Sequence, residues 1–196
     1  MNAADKFRQL LDTPTVQVRE LGEFLDRCSP AERVDVIRSL GGTATQKRLY
    51  DLAGANPRVT IDQMVPPDAA PLREVIFEGK NSLPAFTLFQ KRFCRPPKER
   101  AANELWGYNH QTLAWLTGPG YFVCHDDPKG AAVDYTRVPP QSAPGWPAVK
   151  PNDRGVSNFV YANMVDYMRR ISEHVFIGSA WKAGKEFNSY FLLCRQ

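Results

Sequence analysis

The segment HVFIGSAWKAGKEFNSYFLLC (174–194) is the feature that most limits how this chain can fold. Runs rich in β-branched and aromatic residues flank Lys-Ala-Gly-Lys, a pattern that predicts a β-hairpin. A turn centred on residues 183–184 gives two facing pairs on each side of the hairpin: Phe176–Phe191 and Ala180–Phe187, then Ile177–Tyr190 and Trp181–Glu186. Because both faces are largely apolar, both need cover from other parts of the chain, or one of them lines a cavity.

Four other segments have the residue pattern of strands. They are REVIF (73–77), LWGYNHQTLAWL (105–116), YFVCHD (121–126) and AVDYTRV (132–138). Strands in adjacent hairpins imply an antiparallel sheet on which helices pack. The sequence therefore predicts an α+β fold: a helical N-terminal cap, then an antiparallel sheet of about five or six strands flanked by helices.

Two of the flanking helices follow from stripes of apolar residues at helical spacing. The first begins near Ser82 and Pro84 and places three rings on one side: Phe86, Phe89 and Phe93. The second begins near Ser157 and carries its apolar residues at these positions: Val160, Tyr161, Met164, Val165, Met168 and Ile171.

Residues 1–56 are expected to form short helices separated by capping signals. SPAE (29–32) has the pattern of a capping box, and TATQ (43–46) repeats it. Thr13-Pro14 similarly suggests the start of a helix over 15–27. Four prolines in 57–72 indicate a linker, so the predicted division is a helical segment (1–56), a proline-rich linker (57–72) and an α+β ligand-binding-like domain (73–196).

Charge and composition exclude several classes of function. The net charge is +4, yet residues 1–56 carry as many acidic as basic residues. This neutrality argues against nucleic-acid binding, because phosphate contacts dominate affinity for DNA. KRFCRPPKER (91–100) has five basic residues and one acidic residue, an excess equal to the net charge of the whole chain, and is expected to be either a basic knob or a solvated helix end.

Hydropathy and cysteine content argue against a membrane protein and favour the cytoplasm. No apolar run approaches the 18 residues or so that a membrane span requires, and the N-terminus lacks the pattern of a secretory signal. Four scattered cysteines without a C-x-x-C pair favour free thiols in a reducing compartment. The predicted localisation is cytoplasmic, and a homo-oligomer stays open.

The histidines are candidates for general acid–base chemistry, with Asp126 as a neighbouring carboxylate. If residues 117–120 form the hairpin loop, Leu116 faces Tyr121, and His110 and His125 share a face. If the loop is 118–120, Thr117 faces Tyr121 and the two histidines lie on opposite faces. The sequence does not choose between these registers. A metal site is not predicted, since the histidines are widely spaced and metal sites need three or four convergent ligands.

GKNS (79–82) suggests an anion site. A strand followed by a helix N-terminus would aim backbone N–H groups, Lys80 and Ser82 at a phosphate or carboxylate. The segment is not a Walker loop, because that motif requires Gly where Glu74 stands and Ser or Thr where Asn81 stands.

Aromatic residues crowd the window 106–146 and suggest a pocket for a small molecule. The leading hypothesis is a ligand-binding protein whose pocket lies between the sheet and the helix over 86–93. Its expected ligand-binding residues are Trp106, Tyr108, Tyr121, Lys80, Ser82 and Arg92, and the last three favour an anionic ligand.

Two alternatives remain. One is a cofactor-independent enzyme that uses His110 or His125 with Asp126 or Glu78. The other is a structural or partner-binding protein without a pocket. The sequence identifies no cofactor.

Overall fold

A computed structural model of the protein shows a closed barrel of eight antiparallel strands. The structure describes residues 1–84, 87–101, 103–111, 118–152 and 161–196. Each strand pairs with the next in the chain, and β1 pairs with β8 to close the barrel. The strands are β1 (Val75–Asn81), β2 (Leu88–Cys94), β3 (Glu104–His110), β4 (Tyr121–Asp127), β5 (Gly130–Asp134), β6 (Met164–Arg170), β7 (Val175–Lys182) and β8 (Lys185–Arg195).

The predicted α+β fold, with a sheet of about five or six strands flanked by helices, is therefore wrong. Both segments expected to form flanking helices contribute strands: the first contains β2 and the second contains β6. Along β2, Phe89 and Phe93 point into the barrel together with Lys91, which is the alternation of a strand. Phe86 and residues 153–160 lie outside the described residues.

Four helices pack on the outer surface of β7 and β8. They are α1 (Ala3–Asp12), α2 (Val18–Arg27), α3 (Pro30–Ser39) and α4 (Thr43–Ala53). Their apolar faces join the outward-facing residues of the two strands in one buried cluster. Short amphipathic helices gain most of their stability from such packing.

The capping signals have mixed outcomes. The predicted capping box at Ser29 is confirmed, since Ser29 and Glu32 satisfy each other's backbone N–H groups. The one predicted at TATQ is wrong, because Thr43 is the first helical residue and the N-cap is Gly42, which has no side chain to bond. The helix predicted over 15–27 begins at Val18, so Thr13 does not cap it.

The barrel has two distinct ends. The β1–β2, β3–β4, β5–β6 and β7–β8 connections lie at what we call the upper end, and the other connections lie at the lower end. A short helix, α5 (Ile61–Met64), closes the lower end, where Met64 and Val65 are fully buried in the interior cluster. The Arg195 guanidinium donates to the carbonyl oxygens of Gln63 and Met64 and so holds α5 in place. Helix α6 (Lys98–Ala101) lies in the β2–β3 connection.

The predicted C-terminal hairpin is formed by β7 and β8, but most of its predicted register is wrong. The predicted pair Trp181–Glu186 is confirmed, but beyond it the register shifts by two residues, so that Phe176 faces Leu193 and Ile177 faces Leu192. The shift occurs between the Trp181–Glu186 and Ser179–Tyr190 pairs, and because it is an even number of residues the faces are preserved. Away from the turn, one apolar face is covered by the barrel interior and the other by the helices, whereas Phe187 near the turn is 62% exposed.

The β3–β4 hairpin has neither of the two predicted registers. Tyr108 faces Tyr121, so the connection is longer than either prediction allowed. Residues 112–117 of this connection lie outside the described residues.

Candidate functional site

A polar cluster lies inside the barrel, surrounded by aromatic rings. The Lys91 ammonium donates hydrogen bonds to Asn109 Oδ1 (3.0 Å), Asp166 Oδ2 (3.3 Å) and the Tyr135 hydroxyl oxygen. The Asn109 amide also donates to the Tyr135 hydroxyl (3.0 Å). Strands β2, β3 and β6 and the end of β5 therefore converge on one amine, whose three donors are all used.

The surroundings of this amine are apolar. Four rings lie with their centroids between 4.8 and 5.8 Å from the Lys91 nitrogen: Phe89, Phe122, Tyr135 and Phe191. Burial lowers the pKa of Lys91, although the Asp166 carboxylate opposes that shift. Burial likewise raises the pKa of Asp166, against the effect of Lys91. Among the described residues, Asp166 Oδ1 has no hydrogen-bond partner.

The three rings predicted to line a pocket are together, but outside the barrel. Trp106, Tyr108 and Tyr121 are buried on the outer face of β3 and β4. Tyr108 lies 5.5 Å from Tyr121 and 4.9 Å from Trp146, measured between ring centroids. The Tyr121 hydroxyl donates to the carbonyl oxygen of Pro147, so the segment that follows β5 covers these rings. Their role as ligand contacts stays a prediction.

Two other predicted residues, Arg92 and His110, lie beside Tyr108. Arg92 is opposite Tyr108 in the β2–β3 ladder, and the rings of Tyr108 and His110 are 6.3 Å apart. The Arg92 guanidinium is already bound, because it donates to both carboxylate oxygens of Glu74 at 3.2 Å. Partial burial and the charge of Arg92 lower the pKa of His110.

Lys80 and Ser82 lie elsewhere. Lys80 belongs to β1, and Ser82 extends the pairing of β1 with β8: its hydroxyl accepts from the Tyr190 N–H at 3.0 Å. No helix begins at Ser82 in the described residues, so the strand-to-helix geometry predicted for an anion site is wrong.

His110 and His125 share the outer face but lie at opposite ends of it. His125 faces Glu104 at the start of β3, whereas His110 ends that strand. Six residues of strand separate the two positions by about 20 Å. Within the described ranges, no three His, Cys, Asp or Glu side chains form a group that could hold a metal ion.

A cleft with a volume of about 550 Å³ lies at the lower end, beside His125 and Asp126. Its walls are α5 with the prolines that follow it, the β2–β3 connection, and the adjacent ends of β3 and β4. Asp126 helps to build the cleft, since its Oδ1 accepts from the Ile61 N–H at 2.8 Å. A cavity of this size is in the range that holds small molecules.

Several polar groups of the cleft are already paired. Arg95 forms an ion pair with Asp62, and Glu104 accepts from Trp106 and from Arg137. His125 Nδ1 is buried and has no partner among the described residues. The exposed Lys98 ammonium forms no ion pair with any of them either. The cleft is thus lined by an imidazole ring with one unpaired nitrogen and by an ammonium group.

Sequence reasoning missed the interior cluster. Asn109 and Tyr135 were inside predicted strands but had no assigned role, and Lys91 and Asp166 were placed on helices. A charged residue between apolar residues at period two, as in Phe89-Gln90-Lys91-Arg92-Phe93, was the available signal.

The fold is a closed antiparallel β-barrel with a buried aromatic cluster, an architecture compatible with ligand binding. No helix in the described ranges is both long and apolar enough to cross a bilayer. No protein-family model matches the chain, and no curated protein or solved structure matches it. The chemistry of the described residues is therefore the basis for a functional assignment.

Proposed function

We propose that this protein binds a small polar molecule that carries an anionic group, in the cleft beside His125. The observation that carries the proposal is His125, whose ring lines the cleft and whose buried Nδ1 has no partner among the described residues. An unpaired buried polar atom costs about 1–3 kcal/mol, and a ligand atom that bonds to it would recover that cost.

The charges of the cleft indicate which ligands fit. Lys98 can neutralise a carboxylate or phosphate, while Arg95 is held by Asp62. The exposed Asp126 carboxylate beside His125 disfavours a ligand with several negative charges. A monoanion, or a molecule with both an anionic group and a donor for Asp126, matches this arrangement best.

The packing of the barrel interior also supports the proposal. The cleft is formed partly by α5, which is anchored in the aromatic cluster through Met64 and Val65. A wall fixed in this way keeps the cleft open without a ligand, so less free energy is lost in ordering it on binding.

We also propose that the protein is located in the cytoplasm. All four cysteines are free thiols, and three of them are buried. Free thiols are typical of reducing compartments, which supports the cytoplasm.

The test has two steps. Native mass spectrometry of the purified protein would detect a ligand that copurifies. Calorimetry with small carboxylates and inorganic phosphate as probes would then compare wild type with His125→Ala, Lys98→Ala and the matched control His110→Ala. His110 lies on the same barrel face at the other end, so its loss should leave the affinity unchanged.

We expect His125→Ala and Lys98→Ala each to weaken binding about tenfold or more, because a hydrogen bond to a charged group contributes about 1.5–3 kcal/mol. Long-range proton–nitrogen NMR spectra of the imidazole rings should show that the probe shifts the His125 signals and leaves those of His110 in place. Unchanged affinity in both cleft variants would refute the proposal.

A further inference from the structure

Two aromatic rings form a corner on the outer face of the barrel, at β6 and β7. Trp181 faces Val165 and Tyr167 faces Ser179 in the ladder, so Trp181 and Tyr167 are diagonal neighbours. Their ring centroids are 5.4 Å apart and the ring planes are nearly perpendicular, at 87°. Two π faces at a right angle provide a surface that attracts a cation, since each ring face is the negative end of its quadrupole.

A lysine of the same chain occupies this corner. The Lys129 nitrogen lies 3.7 Å from the Trp181 centroid and 4.7 Å from the Tyr167 centroid. Lys129 is exposed, lies in the turn between β4 and β5, and forms no ion pair with the described residues. A cation–π contact at an exposed site is weak, so Lys129 can be displaced.

The surroundings of the corner favour a cation further. Asp127 and Asp134 are close enough to Tyr167 to raise the pKa of its hydroxyl, after the larger effect of burial. Their backbone contacts orient them, because Asp127 Oδ1 accepts from the Lys129 N–H and Asp134 Oδ1 accepts from the Thr136 N–H.

An unused donor lies in the same corner. Trp181 Nε1 is buried and has no acceptor among the described residues. An acceptor oxygen that reached this N–H group would recover a desolvation cost. None of Lys129, Tyr167 and Trp181 lines the cleft beside His125, so the two sites are separate.

We propose that the corner formed by Tyr167 and Trp181 is a binding site for small molecules with a quaternary ammonium group, and that Lys129 occupies it when no such molecule is bound. A primary ammonium is strongly hydrated, whereas a methylated ammonium loses less hydration on entering an aromatic corner. The incoming group therefore displaces Lys129, whose exposed side chain returns to solvent.

The experiment uses choline and tetramethylammonium as probes, followed by tryptophan fluorescence and calorimetry. In Lys129→Ala the internal competitor is gone, and we expect binding to tighten by about two- to fivefold, which corresponds to 0.5–1 kcal/mol. Lys150→Ala, at an exposed lysine elsewhere, is the matched control and should bind the probes as wild type does. Trp181→Leu should abolish binding.

A neutral isostere of choline, 3,3-dimethylbutanol, separates cation recognition from simple apolar contact, and we expect it not to bind. Equal binding of choline and the isostere, or failure of Lys129→Ala to bind the probes more tightly than wild type, would overturn the proposal. If Trp181→Leu does not fold, Trp181→Phe replaces it. The smaller ring keeps a weaker π face and should give intermediate affinity, and undiminished affinity in that variant would also count against the site.

Discussion

Lys91 and Asp166 form an ion pair at 3.3 Å inside the barrel, with side chains only 3% and 4% exposed. The pair joins β2 to β6, two strands that are not neighbours in the sheet. The two members of the pair differ in how many of their hydrogen-bonding groups have partners. The amine has three acceptors, whereas the carboxylate has one oxygen without a partner among the described residues. Attraction inside a low-dielectric barrel offsets the cost of burying two charges only while both members are present.

Lys91→Met should therefore destabilise the protein strongly. The substitution leaves the Asp166 carboxylate buried without its cation, and it removes the donor shared by Asn109 and Tyr135. Loss of one member of a buried ion pair typically costs about 3–5 kcal/mol. Urea denaturation followed by circular dichroism would measure the change in the free energy of unfolding.

The double variant Lys91→Met/Asp166→Leu is the control for this prediction. With both charges removed and similar volume retained, the stability should recover to well above that of Lys91→Met alone. A double variant as unstable as the sum of the two single substitutions would show that the ion pair is not the cause.

The same two residues explain why the fold was mispredicted. The interior-facing positions of β2 are Phe89, Lys91 and Phe93, and the lysine interrupts the apolar alternation that marks a strand. In β6, Asp166 interrupts Met164 and Met168 in the same way. With the alternation broken, the remaining apolar residues fit helical spacing. Charges that satisfy each other across a barrel cannot be recognised as partners before the barrel is known.

The C-terminal hairpin was predictable because both of its faces are largely apolar. From Phe176 and Ile177 onward, the requirement for cover on both sides follows from the residues alone. Which of the two faces points into the barrel depends on the tertiary structure and cannot be decided from the hairpin sequence alone. For the same reason, the cluster of Trp106, Tyr108 and Tyr121 was predictable as a cluster, but its position outside the barrel was not.

Gly107→Ala should destabilise the barrel by about 1–3 kcal/mol, the usual cost of overpacking a core. A methyl group at Gly107 would lie 2.3 Å from the Phe122 ring and 2.6 Å from the Arg92 carbonyl oxygen, and the latter belongs to the backbone and cannot move aside easily. Gly41→Ala is the matched control, because its methyl group would have no neighbour closer than the Lys80 side chain at 3.8 Å. Thermal unfolding of the two variants should differ clearly, and equal melting temperatures would contradict the packing explanation.

Ser29→Ala should cost about 1 kcal/mol, since it removes an N-cap. The Ser29 hydroxyl accepts from the Glu32 N–H, and the Glu32 carboxylate accepts from the Ser29 N–H at 2.9 Å. Thr43→Ala provides the comparison, because Thr43 is inside α4 and does not cap it. Urea denaturation should show the loss for Ser29→Ala only, and a similar loss for Thr43→Ala would argue that the two hydroxyl groups act in some other way.

The stability should fall on mild acidification, partly because of His174. Burial, followed by the charges of Arg33 and Arg195, lowers the pKa of His174 below its usual value. Between that lowered pKa and about 6.5, the unfolded chain binds more protons than the folded protein, so the free energy of unfolding decreases as the pH falls through this window. The pKa of His110 is also lowered, so this residue adds to the loss of stability on acidification. Urea denaturation from about pH 7.5 to 5 should give a smaller decrease for His174→Gln than for wild type, and a smaller one still for His174→Gln/His110→Gln. Parallel curves for all three proteins would show that other groups control the pH dependence.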